Sequence, residues 1–135
     1  FTASEMARLT HTLNNKSKLS LADRPIVLLH GDLQAEHILI DPEAQKVAAF
    51  LDFADAQPGD PLLDIAIVSL WDTALADILL EEYTGIENDE QTQDLLQSYR
   101  LLRLVGEVPW LLNRGFKEYA EKDIKTVKRI LEQKD

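Results

Sequence analysis

The chain has 135 residues, 45% of them apolar and 28% charged, which is enough for one globular core and typical of a soluble domain. A formal net charge of −10 sets it against nucleic acid and anionic membrane surfaces, and suits a cationic small molecule. The absence of cysteine excludes a disulfide framework and a thiolate metal site, and is compatible with a reducing cytoplasm, the expected location.

No apolar run approaches the roughly 18 residues of a membrane span. The opening segment, Phe1 to Met6, lacks the cationic and apolar regions of a signal peptide. The chain starts on Phe1 and its only methionine is Met6, so the expectation is part of a longer polypeptide.

In chain order, residues 4–14 predict a short amphipathic helix carrying Met6, Leu9 and Leu13 on one side. His11 is alone on that helix and reads as an ordinary histidine. A polar connector follows from Asn14 to Ser20. Three short apolar runs rich in strand formers come next: Ile26–Leu29, Ile38–Ile40 and Val47–Leu51. Asp41-Pro42 through Gln45 is a natural turn, so the second and third runs predict a hairpin.

From Pro61 onward the pattern is helical. Asp60 can cap free N–H groups while Pro61 occupies the first turn, where its missing N–H costs nothing. Leu62 to Leu70 is apolar nearly all round, which predicts a buried helix. A second helix spans about 73–83 and ends near Gly85. Asn88 with Gln91 resembles a capping box opening a helix through about Leu104. Pro109 then kinks the chain or begins a new segment, Gly115 ends it, and an amphipathic, highly charged helix covers about 116–132. The expected fold class is α+β, mainly α: a small β-hairpin platform followed by a helical bundle.

The chemistry-bearing residues cluster early. His30, Asp32, Glu36, His37, Asp52, Asp55, Asp60 and Asp64 lie within 35 residues of one another. Taken singly, Asp41, Asp55 and Asp60 read as turn formers and caps. Asp32, His37 and Asp52 differ, because each falls at the end of a predicted strand. Strand ends packed side by side would bring all three to one edge of the platform. Gly31 allows a tight backbone path between two functional side chains.

The block from His30-Gly-Asp32 to His37-Ile-Leu-Ile-Asp41, then Phe50-Leu-Asp52-Phe-Ala-Asp-Ala56, then Gly59-Asp-Pro-Leu-Leu-Asp64-Ile-Ala66, resembles the aminoglycoside phosphotransferase family, which shares the protein-kinase-like fold. The family pattern is H-G-D-x-x-x-x-N, a strand, D-F/W-G/E, then G-D-P-x-x-D-L/I-A. All three blocks stand here in order, over residues 26–70.

The resemblance implies that Asp32 is the catalytic aspartate, receiving or orienting the proton of a substrate hydroxyl as it attacks a γ-phosphate. It implies that Asp52 and His37 hold Mg²⁺ on the phosphates of ATP or GTP. Asp64 would brace the catalytic loop through its backbone N–H groups, and His30 would be scaffold rather than an acid–base group. His37 stands where most members have Asn, as in the aminoglycoside 2″-phosphotransferases and macrolide phosphotransferases, and a neutral imidazole can still ligate a divalent ion. Ala54 replaces a family glycine. A zinc role for His30 is disfavoured by the missing ligand set.

The same resemblance implies that residues 1–135 form a single C-terminal catalytic lobe. The N-terminal nucleotide-binding lobe, with its strand lysine and partner glutamate, is absent from this chain. The five glycines are widely separated and form no phosphate loop. Activity of this chain alone is therefore not expected.

The expected substrate is a small-molecule alcohol: an aminoglycoside or related antibiotic, or a metabolic alcohol such as choline or a sugar. Glu107, Trp110 and Tyr119 are candidate cleft residues, although Trp71 and Trp110 taken singly read as core. The acidic residues Glu81, Glu82, Glu87, Asp89, Glu90 and Asp94 read equally well as a solvated helix face. A kinase-like binding or regulatory module is the rival reading. A metallophosphoesterase is excluded, because no histidine follows His37.

Overall fold

The structure is a computed structural model, and it describes residues 1–16 and 24–132. Most of the expected polar connector lies outside the described residues. Among the described residues five α-helices and four short strands follow one another: α1 (Ala3–Lys16), β1 (Val27–Leu29), β2 (Ile38–Asp41), β3 (Lys46–Phe50), β4 (Gln57–Gly59), α2 (Leu62–Ser69), α3 (Thr73–Glu82), α4 (Glu90–Asn113) and α5 (Lys117–Glu132). The architecture is α+β and mainly α, as the sequence predicts.

The strands form two separate antiparallel pairs. β2 and β3 make the expected hairpin, with Ile38 opposite Phe50 and a register shift between Leu39 and Ile40. Asp41 Oδ1 shapes its turn by accepting from the Glu43 and Ala44 N–H groups at 3.0 Å each. The second pair is β1 with β4, where Leu28 faces Pro58. Gln57-Pro-Gly59 has no strand propensity, and tertiary placement alone brings it to β1. Together the two pairs fix the entrance and exit of the loops that carry Asp32 and Asp52.

α2 is the buried helix that its composition predicts, with Leu62, Ala66 and Val68 fully enclosed. They pack with Ala76 and Leu80 of α3 and with Leu95 and Leu96 of α4. A second cluster joins Leu9 of α1, Leu101 and Leu104 of α4, and Val127, Ile130 and Leu131 of α5. Asp60 caps α2 as expected: its Oδ1 accepts from Leu62 N at 3.0 Å, and the same carboxylate is gripped by Arg24 and by Tyr99 Oη at 3.3 Å. Burial, with the Asp60 carboxylate adding to it, pushes the Tyr99 phenol up to about 12.

Two boundaries differ from expectation. α4 does not stop near Leu104 but runs unbroken across Pro109 to Asn113. Proline removes one N–H, the donor to the carbonyl four residues back. Buried Leu101, Leu104 and Leu111 lie on both sides of it and pin the helix to its neighbours. Its cap is Asp89 rather than Asn88: Asp89 Oδ1 accepts from Thr92 N at 2.7 Å, while Asn88 accepts from the Gln93 side chain at 2.6 Å.

α3 has an equivalent cap in Asp72, which accepts from Leu75 N at 2.9 Å. Asp72→Ala is expected to lower stability by about 1 kcal/mol, read as an earlier urea midpoint with an unchanged slope.

Candidate functional site

The loop from His30 to Gln34 leaves β1 and is fixed from below by one side chain. Asp64, in the first turn of α2, accepts from His30 N at 2.7 Å through Oδ2 and from Gly31 N at 2.9 Å through Oδ1. Gly31 has φ +82°, and a Cβ added there would sit 2.2 Å from the Asp55 carbonyl oxygen, so only glycine fits. Trp71 secures the far side, donating its indole N–H to Leu33 O at 3.0 Å. Its ring packs against the α2 core, in agreement with the core reading of that residue.

His30 is buried and joins the two halves of the site. Its Nε2 donates to Leu51 O at 2.7 Å, and its Nδ1 accepts from Asp32 N at 3.3 Å, an arrangement that one neutral tautomer satisfies. The ring also lies 4.6 Å from that of Phe53. The expected platform edge therefore exists: the residues after β1 and after β3 are tied together through this imidazole.

Asp32, His37 and Asp52 meet at that edge. His37 closes the single 3₁₀ turn Ala35–His37 ahead of β2, and its Nδ1 donates to Asp32 O at 2.7 Å. In the neutral ring that hydrogen is the one on Nδ1, so the lone pair is on Nε2, which lies 3.8 Å from Asp52 Oδ2. The hydrogen bond to the Asp32 carbonyl holds the His37 pKa above the usual histidine value; the carboxylates of Asp32, Asp52 and Glu36 add to this, and burial opposes it.

Asp52 sits two residues beyond β3 with φ +59°, a left-handed conformation that Asp tolerates better than most side chains, and it is exposed. Among the described residues no group of three or more His, Asp or Glu side chains could hold a metal ion. A nitrogen lone pair and a carboxylate oxygen 3.8 Å apart nevertheless suit an ion that takes its other ligands from phosphates and water, the usual habit of Mg²⁺.

Beside Asp32 opens a cleft of about 470 Å³ lined by Asp32, Asp55, Leu102, Arg103, Gly106, Glu107 and Trp110. Two sequence expectations change here. Trp110 is not core: its residue is 50% exposed, and the Arg114 guanidinium lies 5.0 Å from the ring centroid. The continuous α4 explains this, because it turns Trp110 outward while Leu111 takes the core position. Tyr119 lies away from the cleft lining, packed edge-on against Phe116 at 6.1 Å. Asp55, which reads as a turn residue, lines the cleft and supplies the carbonyl that excludes a side chain at position 31.

The sequence reading missed Arg103, whose Nη2 binds Asp32 Oδ1 at 2.6 Å and whose Nε lies 3.5 Å from Glu107 Oε2. The pair of residues at positions 103 and 107 has helical spacing, but nothing in the sequence says which face they share with Asp32.

Burial raises the Glu107 pKa; Arg103 opposes this, while Asp123 and Asp32 add to it. A carboxyl whose folded pKa is raised costs stability once pH exceeds its unfolded value, near 4.5, and costs nothing well below it. Glu107→Gln is therefore expected to raise the melting temperature at pH 7 and to leave it unchanged near pH 3 in a calorimetric comparison.

The chain matches the model of the phosphotransferase enzyme family over residues 2–103. No curated protein matches it. Among solved structures it is similar to a GDP complex of aminoglycoside 2′-phosphotransferase-IIIa, with TM-score 0.79 and 15% identity over 100% of this chain and 46% of that one. It is also similar to a choline/ethanolamine kinase family protein from Mesorhizobium loti, with TM-score 0.76 and 17% identity over 98% of this chain and 48% of that one. A third is a ternary complex of aminoglycoside phosphotransferase APH(4)-Ia with ADP and hygromycin B, with TM-score 0.72 and 19% identity over 96% and 43%. The chain thus spans about half the length of these structures, and at such identities they establish the fold. With the family model covering most of its length and the three sequence blocks folded into one loop system, the chain belongs to the phosphotransferase enzyme family.

Proposed function

We propose that residues 1–135 are the C-terminal, acceptor-binding and catalytic lobe of a small-molecule kinase. In this reading it moves the γ-phosphate of ATP or GTP to a hydroxyl group. The observation that carries the reading is the position of Asp32: a carboxylate on a loop braced by Asp64, at the wall of an open cleft.

The acceptor enters that cleft and sets its hydroxyl against Asp32. The hydroxyl oxygen attacks the γ-phosphorus while the bond from phosphorus to the β–γ bridging oxygen breaks. The hydroxyl proton passes to the Asp32 carboxylate, and the nucleoside diphosphate leaves with the bridging oxygen. His37 and Asp52 would hold a divalent ion, which would supply charge neutralisation on the nucleotide phosphates when bound. The His37–Asp32 carbonyl hydrogen bond keeps the His37 tautomer that leaves Nε2 free for this task. His30 and Asp64 keep the loop in place and take no part in proton transfer.

The nucleotide requires a second lobe. Ile26, Leu28, Ile40, Phe50 and Phe53, on and beside the two strand pairs, are all exposed. We assign these side chains to contact with an N-terminal nucleotide-binding lobe of the full-length protein, in keeping with the similar structures being about twice as long.

The net charge of −10 and the carboxylates of Asp32, Asp55 and Glu107 in the cleft favour an acceptor carrying ammonium groups. The neighbours include a hygromycin B complex and a choline/ethanolamine kinase family protein, both consistent with a cationic alcohol. The cytoplasm, where ATP and GTP are supplied, is the assigned location.

Calorimetric titration of the full-length protein with MgATP and MgGTP, followed by a screen of aminoglycosides, macrolides, choline and sugars, tests the assignment. Metal-dependent nucleotide binding and transfer to one acceptor class are expected, with neither detectable for the 135-residue chain alone. Nucleotide binding without transfer to any alcohol would favour a kinase-like regulatory module instead.

A further inference from the structure

We infer that Arg103 is the positioning residue of Asp32, anchoring one carboxylate oxygen so that the other faces the acceptor hydroxyl. The inference rests on the reading of Asp32 given above. The two oxygens of Asp32 are not equivalent. Oδ1 receives Arg103 Nη2 at 2.6 Å and Gln34 Nε2 at 3.3 Å. Oδ2 lies 3.8 Å from His37 Nδ1, whose hydrogen is already given to the Asp32 carbonyl. Oδ2 is therefore the oxygen left for a substrate proton.

A simple helix-to-loop strut would explain an ion pair here, but the loop does not need one. Its backbone is already fixed at His30 and Gly31 by Asp64, and at Leu33 by Trp71. The hydrogen bond from Arg103 goes to the Asp32 side chain, and its effect is to select an orientation of the carboxylate.

The guanidinium is shared unequally between two carboxylates. Its Nε lies 3.5 Å from Glu107 Oε2, whereas its Nη2 lies 2.6 Å from Asp32 Oδ1. The short charge-assisted bond is the one to Asp32. Glu107 keeps the guanidinium from leaving by charge attraction, so the order along the cleft wall is Glu107, Arg103, Asp32.

The test is steady-state kinetics on the full-length protein with MgATP or MgGTP and with hygromycin B, erythromycin and choline as acceptors. Wild type, Asp32→Asn, Arg103→Gln, Arg103→Lys and Arg103→Ala are compared, with melting temperatures recorded for each. Arg103→Gln is expected to lower kcat roughly 10²-fold, the scale of a small misplacement of a reacting group, while both KM values change little. Lysine, which keeps charge but lacks the fork, should fall between. Guanidinium ion at millimolar concentration should restore part of the Arg103→Ala rate without changing its melting temperature.

A wild-type kcat in Arg103→Gln alongside an inactive Asp32→Asn overturns the inference and leaves the kinase reading standing. A rise in acceptor KM alone, or a rate loss that tracks lost stability and resists guanidinium, also overturns it. An inactive wild type, or full activity in Asp32→Asn, removes the reading of Asp32 and this inference with it.

Discussion

Asp32→Asn in the full-length protein is expected to reduce phosphoryl transfer roughly 10³-fold, the scale of losing a general base held at the reacting hydroxyl. The substitution keeps shape and removes charge. It leaves the braces at His30, Gly31 and Leu33 in place, since none of them involves the Asp32 side chain. What it weakens is the ion pair with Arg103, in which both side chains are partly exposed. The asparagine amide oxygen can still accept from Arg103, so the variant loses only part of a charge-assisted hydrogen bond of about 1.5–3 kcal/mol and should unfold only modestly earlier than wild type in denaturant. Large loss of rate with small loss of stability is the signature of chemistry at this carboxylate.

Asp64→Ala is the second large effect, and it falls on both stability and rate. The carboxylate is the only group among the described residues shown accepting from His30 N and Gly31 N, at 2.7 and 2.9 Å. Hydrogen bonds to a charged group contribute about 1.5–3 kcal/mol each, and deleting the acceptor leaves two donors unmet. A loss of roughly 3–5 kcal/mol is expected, much of the stability of a domain this size. Asp64→Asn should be milder, because its amide oxygen can keep one of the two bonds while the NH₂ opposes the other. Urea unfolding of the three proteins gives the ranking directly. If Asp64→Ala unfolds like wild type, the bracing role is wrong.

Much of the framework is legible in the sequence. The β2–β3 hairpin follows from β-branched runs around Asp41-Pro42, and α2 from its unbroken apolar composition and the Asp60-Pro61 start. These are local signals, and local signals transfer to structure well. Elements set by distant partners were not legible. β4 is Gln57-Pro-Gly59, which becomes a strand only because β1 lies alongside. α4 passes through Pro109, because packing on both sides of the proline outweighs one missing hydrogen bond. That continuity is also why Trp110 faces the cleft, where its apolar character alone suggested the core.

The site divides in the same way. Asp32, His37, Asp52, His30 and Asp64 could be singled out because ordered motifs carry them within one stretch of chain. Arg103 could not, being 71 residues from its partner in a helix whose rotation the sequence leaves open. The α4 residues that line the cleft, Leu102, Arg103, Gly106, Glu107 and Trp110, lie outside the motif blocks. The sequence therefore indicated the reaction more clearly than the substrate.

The central claim is that this lobe directs a γ-phosphate onto a hydroxyl through Asp32. Its most direct test is label transfer from γ-³²P nucleotide by the full-length protein, run beside Asp32→Asn of matched stability. The account predicts label on an alcohol acceptor with wild type and none above background with the variant. Equal labelling by the two proteins would contradict it.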